Sequence, residues 1–304
     1  MPDDKRIVSL ISSATEIVCA LGLAQKMVAR SHECDYPSSV LKLPSVTSPK
    51  FPTDGTSYQI DQRVKAILQE GLSVYRVDAE SLKSLNPSHL ITQTQCHICA
   101  VSLRDVQSTL NEWLKNGATI VNLDGMDFEG VLLDIRKVAT ALDVVLEGEN
   151  LIRAIKSRLQ KIWDSSRKLT NKTAFLVEWI DPLLSAEHWM PQLAEMAGIT
   201  LRTEKLFESD PDLIVFAPCG WGLERTEEEL RSISLPRQWR ELRAVKENQV
   251  FLADGNQFFN RPGPRLVETT EILAEIAHPT VFSFGHKNSS WRQFQGLGNL
   301  IKED

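Results

Sequence analysis

The densest run of reactive side chains in the chain is Gln93-Thr94-Gln95-Cys96-His97-Ile98-Cys99. Cys96 and Cys99 form a C-x-x-C pair, a spacing at which two thiolates can reach one metal ion or close one disulfide. A structural zinc site normally shows a second pair, and Cys19, Cys34 and Cys219 form none in sequence. Cys34 and Cys219 each follow an apolar run, so folding can carry both to one strand edge. That would make Cys34, Cys96, Cys99 and Cys219 a candidate set for zinc or iron. Thiol chemistry and simple lining of a cleft are the alternatives. Cys19 sits inside an apolar helical stripe and reads as a small buried hydrophobe.

Other candidates share the same placement. Glu178 and Trp179 end the run Thr173–Val177, where a carboxyl group can act as base, metal ligand or acceptor for a ligand amide. Trp221 follows Leu213–Ala217 in Pro218-Cys219-Gly220-Trp221-Gly222, and Asn256, Phe258, Phe259 and Arg261 follow Val250–Ala253. His32, Glu33, Cys34 and Tyr36 follow Met27–Arg30. Rings in such turns suit a large flat ligand; packing against a neighbouring element is the competing reading. No Ser-His-Asp order, acid–base pair or phosphate-cradling glycine fingerprint accompanies them, so no catalytic residue is assigned.

Five segments therefore read as a buried strand entering a polar, aromatic or Gly-rich turn. In a parallel sheet the carboxyl ends of the strands share one edge, where ligands bind. The elements between them fit. Ile7–Ile11 leads into Ser12–Glu16, where Ser13 and Glu16 have capping-box spacing, and the apolar stripe after it ends at Gly22. Helices are expected at 58–69, 79–85 and 103–115, and strands at 73–77, 90–92 and 118–122. Such alternation means a parallel sheet with crossovers. It breaks at two successive amphipathic helices, 128–142 and 147–167, the second carrying Leu151, Ile152, Ile155, Leu159 and Ile162 at helical spacing. Alternation resumes at Thr173 and ends with a helix at 265–277.

The expected architecture is thus α/β, two Rossmann-like lobes with parallel-rich sheets joined by a long connector helix. The lobes are placed at 1–146 and 169–304, and the connector at 147–168. The 304 residues suffice for two ordinary domains, and 24% charged with 42% hydrophobic residues describes a globular chain. A net charge of −6 provides no basic face for nucleic acid. No apolar run approaches the ~20 residues that insert into a bilayer. The first residues enter a strand without an apolar leader, so the expected compartment is cytoplasmic, with reduced thiols.

The motifs Ser12-Ser13-Ala14-Thr15-Glu16-Ile17 through Leu21-Gly22, Ser31–Pro37, Leu85-Asn86-Pro87 and Asn260-Arg261-Pro262-Gly263-Pro264-Arg265 together resemble the cobalamin-binding members of the substrate-binding proteins of ABC transporters. The segment Cys96–Ser102 is similar to a cobalamin-binding-like branch with Cys-x-x-Cys-Ala-Val-Ser. The resemblance spans about 6–279. It implies two Rossmann-like lobes on one long helix, a ligand clamped between them, and an ABC permease as partner. It also implies that Tyr36, Phe258, Phe259 and Arg261 touch the ligand. The expected function is non-catalytic binding of a bulky chelate, cobalamin or a related corrinoid, with Tyr36, Gln93, Gln95, Glu178, Trp179, Trp221, Asn256, Phe258, Phe259 and Arg261 as ligand residues. The alternative is an intracellular metal- or thiol-dependent enzyme using Cys96, Cys99 and Glu178.

Overall fold

The computed structural model describes residues 5–70, 73–93 and 117–301. Two compact units emerge, Met1–Gly55 with Gln59–Ala154, and Thr56–Tyr58 with Ile155–Asp304.

The first unit holds strands β1 (Ile7–Ser9), β2 (Met27–Ala29), β3 (Thr47–Pro49), β4 (Tyr75–Val77), β5 (His89–Gln93) and β6 (Thr119–Leu123). Its main sheet has the order β2-β1-β5-β6 and every pairing in it is parallel. Strands this short and apolar need cover on both faces. Helices α1 (Ser12–Ala20), α2 (Ser57–Gln69), α3 (Ala79–Leu85) and α4 (Phe128–Ala141) alternate with the strands. One core cluster gathers Val8, Leu10, Ala29, Val46, Leu82 and Leu90. Asp127 caps α4 by accepting from the Gly130 amide at 2.8 Å. The expected capping box of Ser13 and Glu16 is not formed: α1 starts at Ser12, no side chain caps it, and the buried Ser13 hydroxyl has no partner among the described residues.

Helix α5 (Val145–Ser166) is 22 residues long, and the division between the units falls within it. Ile152, Ile155, Leu159 and Ile162 are its buried stripe, the spacing that places one helix face in a core.

The second unit resumes with β7 (Lys172–Trp179), β8 (Leu184–Ser185), β9 (Ile199–Leu201), β10 (Leu213–Phe216), β11 (Val250–Ala253) and β12 (Trp291–Gln293). The sheet runs β12-β11-β10-β7-β8, with β9 also on β7. Pairs β7–β10, β10–β11 and β7–β9 are parallel, whereas β8 and β12 pair antiparallel. Helices α6 (Met190–Met196), α7 (Leu223–Ser232) and α8 (Leu266–Ala277) belong to this unit. The parallel-rich α/β class expected from the alternation is therefore observed. The helix expected at 103–115 lies outside the described residues.

Candidate functional site

At the first unit's carboxyl edge, β2 runs into a turn whose polar groups are mostly engaged. Thr47 is the hub: its hydroxyl lies 3.0 Å from Ser31 Oγ, accepts from the His32 amide at 3.0 Å and sits 2.7 Å from His32 Nδ1. Burial holds the His32 imidazole below its ordinary pKa, against the opposing pull of Glu33. The Tyr75 phenol donates to Glu33 at 2.5 Å, and the Tyr75 ring meets His32 edge-on at 5.0 Å. Cys34 is fully buried, with the Thr15 hydroxyl 2.9 Å from its sulfur. Tyr36 emerges at 46% exposure, before a cis Pro37. Gln93 ends β5 buried, and its Oε1 finds no hydrogen-bond partner among the described residues. Gln95, Cys96 and Cys99 fall outside the described residues.

The second unit's edge is knitted from three loops. Trp179 donates through Nε1 to the Ser57 carbonyl at 3.2 Å, and its ring lies 5.1 Å from that of Trp221. Ser57 is fully buried and donates both its amide and its hydroxyl to Glu229 Oε1, at 2.7 and 2.6 Å. The Cys219 amide donates to the Glu178 carbonyl at 3.0 Å, and the Asn256 amide to the Trp221 carbonyl at 3.0 Å. Asn260 reaches back through Nδ2 to the carbonyls of Ala217 and Gly255. The loop after β11 is thereby fixed on the loop after β10.

Burial sorts the ligand candidates. Glu178, Trp179, Asn256 and Phe258 are half-buried on this edge. Trp221 is 8% exposed and Phe259 2%, the latter accepting from Trp189 through its carbonyl, so both are packing residues in this arrangement. Arg261 is 5% exposed and donates Nη2 to Asn256 Oδ1 at 2.8 Å, so it braces the loop. Two half-buried arginines follow these loops: Arg225, 4.6 Å from the Trp221 ring centroid, and Arg265, 5.1 Å from that of Phe258. Sequence reasoning missed Arg225, Arg265, Ser57 and Glu229. The one available signal was Arg225 four residues after Trp221, at the start of a helix.

Among the described residues no three His, Cys, Asp or Glu side chains are placed to hold a metal ion, and Cys96 and Cys99, the core of the metal expectation, lie outside those residues. Cys34 is already packed under α1. Cys19 is pushed up to about 11, by burial first and then by Glu16. At pH 8 that leaves about one Cys19 in a thousand as reactive thiolate. Iodoacetamide at that pH is expected to label the partly exposed Cys219 long before Cys19 or Cys34, as peptide mapping by mass spectrometry would read. Equal labelling of Cys34 and Cys219 would show that the β2 turn is not packed as described.

A family model for periplasmic binding proteins matches residues 7–256. Over 298 residues the chain is 24% identical to the uncharacterized ABC transporter substrate-binding lipoprotein YvrC of Bacillus subtilis (strain 168), covering 92% of this chain and 82% of that protein. Among solved structures, the periplasmic vitamin B12 binding protein BtuF of Vibrio cholerae superposes with a TM-score of 0.62 at 20% identity, covering 90% of this chain and 96% of that one. A periplasmic heme binding protein from Pseudomonas aeruginosa gives 0.66 at 19%, covering 91% and 94%. A possible iron-binding periplasmic solute-binding protein from Staphylococcus epidermidis gives 0.66 at 18%, covering 90% and 98%. These structures share the fold. The cytoplasmic expectation is overturned: the matching family is periplasmic by description, and the relative from B. subtilis is a lipoprotein.

Proposed function

The chain belongs to the periplasmic binding protein family, and from that premise we propose that it is the substrate-binding component of an ABC transporter, taking a bulky, partly planar metal chelate. Cobalamin or a related corrinoid is the first choice, with haem the nearest competitor. The observation that carries this reading is the placement of accessible rings. Tyr36 stands on the first unit's carboxyl edge, and Trp179 and Phe258 stand on the second's. A planar ligand buries large apolar area against such rings, on the order of 1–3 kcal/mol for each ring engaged. Gln93, Glu178 and Asn256 supply the few polar groups that orient a ligand in an otherwise apolar site.

The relatives named above favour chelates as a class: B12 for BtuF, heme for the P. aeruginosa protein, and iron for the S. epidermidis one. Nothing in the family or the site favours the thiol-dependent enzyme. Periplasmic binding proteins hold a solute without altering it, and in the proposed role the loaded protein hands its ligand to a permease.

Titration with cobalamin, cobinamide and haem, followed by absorbance and calorimetry, tests the proposal. One of the three is expected to bind with a Kd of about 1 µM or below, that is, about −8 kcal/mol. Tyr36→Ala is expected to weaken that ligand roughly tenfold with no loss of thermal stability, because the side chain is exposed in the free protein. Absence of binding for all three would defeat the proposal.

A further inference from the structure

We infer that Glu229 is a positioning residue for the Trp179 ring: its buried carboxylate holds Ser57, and the Ser57 carbonyl holds the indole. The consequence for ligand affinity rests on the proposed chelate-binding role, whereas the orientation of the ring does not.

The pattern of α7 makes Glu229 the odd acid of that helix. Leu223, Thr226, Glu229 and Leu230 form its buried face, so a carboxyl group stands where the helical stripe calls for an apolar side chain. Glu224 and Glu227, off that face, pair with Arg292, and Glu227 also with Arg231. A buried carboxylate is costly unless hydrogen bonds satisfy it. Among the described residues the side-chain partners of Glu229 are the amide and hydroxyl of the fully buried Ser57, at 2.7 and 2.6 Å. Ser57 opens α2. Its amide is therefore one of the N–H groups that a helix leaves without an internal partner, at the positive end of the helix dipole. Glu229 supplies that cap from 172 residues away.

Ser57 passes this anchorage on to the ring. Its carbonyl has two lone pairs, and one of them takes the Trp179 Nε1–H at 3.2 Å. Trp179 ends β7, where the register with β8 shifts between Val177 and Trp179, an irregularity of the kind that re-aims a side chain. The shift alone leaves the ring a choice of rotamers. The bond to Ser57 and the Trp221 ring, 5.1 Å away and tilted by 53°, remove that choice. Trp221 stands in the turn from which α7 starts, and Glu229 lies further along the same helix. One helix thus sets both rings, Trp221 directly and Trp179 through Ser57. A ring already held in place loses less entropy when a flat ligand docks on it.

Circular dichroism of the ligand-free full chain reads the geometry, because two indoles this close couple as exciton partners and the signal depends on their mutual angle. The wild-type protein is expected to show the couplet, and Trp179→Phe, which removes one partner, identifies it. Glu229→Leu, which suits the apolar stripe, is expected to lose most of the couplet, and Glu229→Gln, which keeps an acceptor, to retain it. Titration with haem and cobalamin reads the consequence. Glu229→Leu and Trp179→Phe are each expected to weaken the probe that binds by roughly fivefold to tenfold, and the double variant by no more than either alone, since both cut the same relay. Glu229→Gln is expected to stay within about twofold. An unchanged couplet in folded Glu229→Leu protein would overturn the inference, and so would losses that add in the double variant. Should Glu229→Leu not fold, Ser57→Ala removes the hydroxyl partner and keeps both backbone groups. A weakened couplet there supports the relay, and an unchanged one overturns it. If neither probe binds, the chelate reading fails while the couplet still decides for or against Glu229.

Discussion

Replacing Glu275 by alanine is expected to cost about 2–4 kcal/mol of folding free energy, a large effect for a single substitution. Glu275 lies on α8 at 3% exposure. It accepts from the amides of Phe284, Gly285 and His286 and from Trp291 Nε1, the last two at 3.4 and 2.6 Å. Alanine orphans the buried Trp291 Nε1–H, at about 1–3 kcal/mol, and frees three amides of a partly exposed turn, where water recovers part of what is lost. The loss reaches the site, because the same turn positions the Ser290 carbonyl that accepts from the Asp254 amide at 2.9 Å, and His286 contacts Phe258 edge-on. Urea unfolding followed by tryptophan fluorescence reads the effect. Glu275→Gln keeps an acceptor and should lose roughly half as much. A loss below about 1 kcal/mol for alanine would mean that the turn has other anchors.

Gly255→Ala is expected to damage binding most per atom added. An alanine Cβ there would lie 2.1 Å from the Pro218 carbonyl oxygen and 2.5 Å from the Ala217 carbonyl carbon, all of it backbone. No side chain can swing aside, so the loop after β11 must lift off the loop after β10. With it move Asn256 and Phe258. A cost of about 2–4 kcal/mol in stability and at least a roughly tenfold loss of ligand affinity are expected. Gly220→Ala is the matched control. Its φ of +76° strains any other residue, but the added Cβ meets nothing within 4 Å. That substitution should cost about 1 kcal/mol and leave the two loops in contact. Equal effects of the two glycine variants on affinity would break the link between loop contact and binding.

What the sequence displayed and what it concealed divide along physical lines. Alternation of apolar runs with amphipathic segments reports which face of each element is buried. It therefore located the strands of the first unit's parallel sheet, β7, β10 and β11 of the second, and the apolar stripe of α5, but not the short parallel strand β9. It reports nothing about distant partners. Ser57 and Glu229 are 172 residues apart, and neither has a local signature that pairs it with the other. Phe258 and Phe259 are adjacent, and consecutive residues of a tight turn face different ways; one ring remains half-buried at the edge while the other enters the core. Sequence alone cannot choose between them. Arg261 looked like a ligand contact by motif and is a buried brace, because a nearby Asn256 can satisfy its charge-assisted donors. The S-x-x-E spacing at Ser13 failed for a different reason. The helix begins two residues earlier than that spacing requires, at Ser12 with Ile11 in the cap position, so Ser13 is already inside the first turn.

The account stands or falls on whether this protein carries an intact organic chelate. Native mass spectrometry of protein purified without added metal, with elemental analysis of the same sample, measures that directly. The expected result is a single adduct of a discrete chelate, with its metal present in the same molar amount and released together with the organic part. Zinc or iron bound without any organic mass, together with thiol-dependent turnover of a substrate that Cys96→Ser abolishes, would contradict it.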